Sequence, residues 1–162
     1  MGDRTYVRFS IPLAAVSTIQ RRRILAPALG LTVDDIEPAV TQDPSQNTSL
    51  AGYDNGVALH LVEGVPCLVM EDDQCNYGGS LIEDDLQEAG IPFLRFHLSG
   101  GSYGPGRAAF TGSGELHWVD CDSDGNPLIR VDVTDGKATV DPNALVLIND
   151  LLAAERAVLH SA

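Results

Sequence analysis

Two apolar runs, Val57–Val62 and Val65–Met70, are separated by only two residues, Glu63-Gly64. A joint that short permits a tight hairpin between antiparallel strands and little else. The signals that follow are helical. Ser80 stands where an N-cap belongs, and Glu83, three residues on, completes a capping box. The helix predicted from there runs to Ala89, and Gly90 offers a left-handed stop. Pro92–Leu98 reads as the next strand. Strand, helix and strand with short joints predict a right-handed crossover between parallel strands. A hairpin leading straight into a crossover demands a sheet with helical cover, and no other stretch constrains the chain as much.

The flanks complete the pattern. Thr5–Ile11 is rich in β formers and closed by Pro12, so it reads as a strand. Leu13–Leu25 places Leu13, Val16, Ile19 and Leu25 on one helical face, with Arg21–Arg23 around the rest, and Pro27 ends or kinks it. Thr32 caps a short helix with Asp35 at its third position. Asp43–Gly56 is polar and aperiodic, a loop. Beyond the glycine-rich Ser99–Gly106 come short strands at Arg107–Thr111, Glu115–Val119 and Leu128–Val133, the last two joined by a turn at Asp-Ser-Asp-Gly-Asn. Lys137–Val140 adds a short edge strand. Asp141-Pro142 opens a final helix as cap and first residue, with Leu145, Ile148, Leu152 and Leu159 as its apolar stripe. The sum is one α+β domain over residues 1–162: a mostly antiparallel sheet with one β-α-β crossover and helices packed on one face. A chain of 162 residues is long enough to bury its own core, and 44% hydrophobic with 20% charged residues sets it apart from a disordered tail.

Charge is segregated along the chain. Residues 1–23 hold Arg4, Arg8, Arg21, Arg22 and Arg23 against Asp3; residues 24–162 hold five basic residues against 22 acids, a formal balance of −17. Three arginines on one helix do not offset that, so a DNA duplex would be repelled and direct nucleic-acid binding is not expected. The apolar runs are far shorter than the ~20 residues that span a bilayer, and no secretory pattern follows the N-terminal arginines. Cys67, Cys75 and Cys121 are odd in number and form no C-x-x-C pair, which predicts reduced thiols in a cytoplasmic protein. Cys67 lies in an apolar run and reads as a core thiol; Cys75, in a polar stretch, reads as the more reactive one.

Three acidic clusters stand out. Glu71-Asp72-Asp73 ends a predicted strand before a helix, where crossover units collect ligands. With His97 on the neighbouring strand, Asp72 and Asp73 could assemble a metal-dependent hydrolase, although adjacent acids on a strand point to opposite faces. Glu83-Asp84-Asp85 fills the first turn of the predicted helix. Asp120-Cys-Asp122-Ser-Asp124-Gly125-Asn126 matches the opening half of a calcium loop, but Val131 occupies the position that requires a bidentate Glu, so a metal-free acidic turn is expected. Tyr77-Gly78-Gly79-Ser80 offers N–H groups to an anion, yet lacks a P-loop lysine and sits beside three carboxylates. His60, His97 and His117 fall on strands as structural histidines. Trp118 and Tyr103 are candidate partner anchors, with core packing the simpler expectation for Trp118.

No catalytic set and no cofactor emerge. The expected function is an acidic protein-binding module. Glu71, Asp72, Asp73, Glu83, Asp84, Asp85, Asp120, Asp122 and Asp124 would present carboxylates to a basic protein surface, as an inhibitor of the kind a phage or plasmid encodes might occupy the groove of a nucleic-acid-binding protein. The alternatives are the metal-dependent hydrolase and a housekeeping domain with a salt-adapted surface. A homo-oligomer is compatible with either.

Overall fold

The computed structural model describes residues 4–41, 48–49, 57–76 and 79–160. The strands are β1 (Arg4–Pro12), β2 (Thr48–Ser49), β3 (Val57–Val62), β4 (Val65–Asn76), β5 (Phe93–His97), β6 (Gly106–Phe110), β7 (His117–Asp120), β8 (Val131–Thr134) and β9 (Lys137–Val140). The helices are α1 (Ile19–Ala28), α2 (Val33–Thr41), α3 (Ser80–Glu88) and α4 (Pro142–His160). The main sheet has the order β2-β3-β4-β1-β5-β6-β7, antiparallel at every pairing. The fold class is α+β, as expected.

The hairpin of β3 and β4 turns at Glu63 and Gly64, both with positive φ. The crossover differs from its simplest expectation. β4 and β5 both run antiparallel to β1, which lies between them, so they are parallel to each other without touching. β4 also continues six residues past Met70, because β1 offers pairing partners as far as Arg4. Glu71–Asp73 therefore lies inside the strand and not at its end. A bulge follows, where Thr5 pairs with Cys75 and Val7 with Asp72.

Helices cover both faces, which corrects the expectation of one. Val7, Phe9, Ile11, Phe93 and Phe110 point to one side and pack with Leu25, Ala26, Ile36 and Leu86 from α1, α2 and α3. Phe93 stacks edge-on to Phe9 at 5.6 Å and lies 5.7 Å from Phe110. Each such side chain contributes roughly 1.5–3 kcal/mol by leaving water. The neighbours of these residues point the other way. Leu94, Ala109 and Val119 meet Leu151 and Ala154 of α4, while Cys67 and Val69 meet Leu159. Arg107 fastens α4 to the sheet: its guanidinium donates to Glu155 at 2.7, 2.8 and 3.1 Å and to the Gly125 carbonyl at 2.8 Å.

Several local expectations shift. Leu13–Leu25 is not one helix: a 3₁₀ turn spans Leu13–Val16, and α1 begins after Thr18, whose Oγ1 accepts from the Arg21 N–H. Arg21 and Arg22 donate to the carbonyls of Ala15, Val16 and Ser17, tying the turn to the helix. Asp35, at the third position of α2, reaches back to accept from the Thr32 N–H at 2.8 Å, and the Thr32 hydroxyl, expected as the cap, donates to the same carboxylate. The cap of α3 is Gly79 at φ 82° and not Ser80, since a Cβ there would meet the Phe9 ring at 2.7 Å. The loop expected over Asp43–Gly56 contains β2; its remaining residues, like Tyr77 and Gly78, lie outside those described. Of Leu128–Val133, Leu128 meets β7, donating its N–H to the Asp120 carbonyl at 2.9 Å beside the Cys121–Pro127 bridge, while Val131–Thr134 pairs elsewhere. β8 and β9 form a separate two-stranded ribbon whose eight residues are all exposed. The buried stripe of α4 is Leu151, Ala154, Val158 and Leu159, with Ile148 partly buried against the same core, whereas Leu145 is exposed. All three cysteines are free and buried. Cys75 is thus a core residue whose thiol burial pushes up, and burial takes Cys67 to about 12. No described helix is long and apolar enough to cross a membrane.

Candidate functional site

The sheet disperses the acidic clusters. Glu71 and Asp72 point to opposite faces. Glu71 accepts from the Tyr6 hydroxyl at 2.9 Å and lies 3.7 Å from the Arg8 guanidinium. Burial and that carboxylate raise Tyr6 to about 12. Glu83 is turned inward, with its Oε2 3.0 Å from Arg95 Nε and both side chains 11% exposed. Burial raises the Glu83 carboxyl, Arg95 partly offsets this, and Asp84 adds to it. Asp84 and Asp85 remain exposed on α3, and Asp85 shares a cleft with Arg23 of α1. Of the N-terminal arginines, Arg8 and Arg22 thus meet acids of the same chain, Glu71 and Glu37. In the 120–126 loop, Asp122 accepts from the backbone N–H groups of Asp124 and Asn126 at 2.9 and 2.8 Å and from the Asn126 side chain at 2.9 Å. These donors hold the Asp122 carboxyl below its ordinary value. The loop closes through a bridge between Cys121 and Pro127. Asp124 stays exposed.

Asp72, Asp73 and His97 are not brought together. Asp72 and His97 both lie opposite Val7, one on each side of it. They are two strand spacings apart, roughly 10 Å. Asp73 belongs to the bulge. Among the described residues, no three His, Cys, Asp or Glu side chains converge as a metal site would require.

What the sheet does bring together is a trough across β5, β6 and β7. Pairing sets His97 opposite Gly106 and Gly106 opposite Asp120; the next row in that direction sets Arg95 opposite Ala108 and Ala108 opposite Trp118. Paired residues share a face, so Gly106 on β6 forms a floor between His97 and Asp120, with Arg95 and Trp118 in the lining beside them. The hollow is about 360 Å³, closed at one end by Tyr103 from the glycine-rich loop. Tyr103 packs edge-on against His97 at 5.3 Å. Its ring also sits where Gly100 has no side chain, since a Cβ there would meet it at 2.4 Å. His97 leans over the floor: a Cβ on Gly106 would stand 2.6 Å from Nε2. Its Nδ1 lies 2.9 Å from the Leu98 carbonyl, which makes Nδ1 the protonated nitrogen and leaves Nε2 an acceptor. Burial lowers the imidazole below its ordinary value, with Arg95 adding to this and the Leu98 hydrogen bond and Asp120 opposing it.

Trp118, expected in the core, is 59% exposed. It separates the trough from a second, larger hollow of about 610 Å³ along β7, the edge strand. There the apolar lining comes from Leu128, Leu147 and Ile148, and the acids Glu115, Asp120, Asp132, Asp141 and Asp150 surround it with one arginine, Arg130. Around it Val131, Val133, Leu145 and Val146 are each about half exposed or more. Of the acids singled out in the sequence, Asp120 alone lines either hollow. The others were hidden in sequence by lying one per element; only the fold gathers them. No family model matches this sequence, and no match is found among curated proteins or solved structures.

Proposed function

We propose that the chain is a protein-binding module that receives a basic, partly apolar segment of another protein in the groove along β7. The observation that carries this reading is the convergence of five carboxylates and one arginine on an apolar groove beside an edge strand. The opposite charge on the partner would steer its approach, and the apolar lining would hold it. Two further features support it. An edge strand is a template for an added strand. An isolated two-stranded ribbon is marginal in water, and β8–β9 would gain cover from an occupant. The acidic face first read around Glu71–Asp73 and Glu83–Asp85 is replaced in this proposal by Glu115, Asp120, Asp132, Asp141 and Asp150. A nucleic-acid-binding protein is one source of such a basic segment.

The test uses immobilised full chain and short peptides alternating Val or Leu with Arg or Lys. Binding should fall with added salt and fall further on Asp132→Lys with Asp150→Lys. The pair Asp84→Lys and Asp85→Lys, on α3, should leave it unchanged. Equal loss from both double variants, or salt-independent capture, overturns the groove as the binding surface.

A further inference from the structure

From the trough between β5 and β7 we infer a receptor for one cationic side chain, a guanidinium or an ammonium. Its ligand would come from the basic segment in the adjoining groove, so the source of the cation rests on the proposed function, while the chemistry rests on the trough alone. Three groups decide the charge it accepts. Arg95 is balanced by Glu83 at 3.0 Å. His97 presents a neutral ring with Nε2 as an acceptor over Gly106. Asp120 is exposed at the rim and has no ion pair among the described residues. The facing groups thus sum to one negative charge. An anion would meet the field of Asp120, and an apolar group would strand two acceptors.

A cation satisfies all of them. Asp120 and His97 Nε2 accept its N–H groups, and the lining also holds the aromatic rings of Trp118 and Tyr103. The floor makes room: Gly106, between His97 and Asp120, has no side chain. A guanidinium, flat and able to stack while donating in its own plane, uses more of these contacts than an ammonium.

Trp118 is the only tryptophan, so one indole N–H resonance and the intrinsic fluorescence both report on this wall. The full chain is titrated at constant ionic strength with arginine amide, lysine amide and uncharged N-acetylglycinamide. Expected are saturable shifts with both cations, tighter for arginine amide, and none with the neutral amide. Asp120→Asn, an exposed and isosteric change, should weaken the response at least about tenfold, and Asp84→Asn should leave it intact. Absence of a saturable shift, an equal response to the neutral amide, or an unchanged response in Asp120→Asn overturns the inference. Cation binding without peptide capture would sink the docking reading and keep the receptor. Peptide capture that is indifferent to Asp120→Asn, without any response to free cations, would do the reverse.

Discussion

His97 sits where a second proton is hardest to accept. Its ring is partly buried, one nitrogen is committed to the Leu98 carbonyl, and the Arg95 guanidinium is close by. Asp120 across Gly106 is the one facing group that would welcome a charged ring. The folded-state value is therefore lower than the ~6.5 of an unfolded imidazole. Between those two values the unfolded chain binds a proton that the folded chain refuses. The contribution of His97 to stability is full above about pH 6.5 and is lost as pH falls below it, with a slope of at most ~1.4 kcal/mol per pH unit. His97→Asn keeps a donor for Leu98 and removes the titration. Urea unfolding at pH 7.5 and 5.5 should show a smaller acid loss in the variant than in the wild type; parallel losses would contradict the assignment.

At the scale of elements, the two hairpin turns make a natural comparison. β3–β4 turns on Glu63-Gly64 and β8–β9 on Asp135-Gly136, each with positive φ at both positions. Asp tolerates that backbone and Glu gains nothing from it. Glu63→Asn should therefore stabilise the fold by about 0.5 kcal/mol, read as a higher urea midpoint at unchanged slope. The same comparison shows what could be read without a fold. The hairpin at Glu63-Gly64, the Thr32–Asp35 cap and the start of α4 at Pro142 all depend on residues a few positions apart, and local chemistry announces them. The insertion of β1 between β4 and β5 depends on residues 55 or more positions away, and no local pattern encodes it. Glu83 looked like a helix cap because its partner, Arg95, is supplied by a strand beyond the helix. The trough was illegible for a related reason. His97, Gly106 and Asp120 form a row only once three strands take one register, and a slip of one residue would scatter them.

For the molecule as a whole, the formal charge of −13 weighs against compactness. The described salt bridges are four, and only Arg95–Glu83 has both side chains well buried, so screening relieves more repulsion than it costs in attraction. The melting temperature should rise by a few degrees between ~10 mM and ~500 mM sodium chloride at pH 7, as a gain of about 1 kcal/mol would give in a domain of this size. A melting temperature that falls with salt would mean that ion pairs outweigh the net repulsion. The central position of β1 has a different kind of consequence, one of time. On the ribosome β1 emerges before both of its neighbours: more than fifty residues separate it from β4 and about eighty from β5. At ~5–20 residues per second it waits several seconds with two bare edges and the side chains of Val7, Phe9 and Ile11 uncovered. A nascent chain of this design is most exposed to misassembly early in translation, and slowing its synthesis would lengthen that exposure instead of helping it fold.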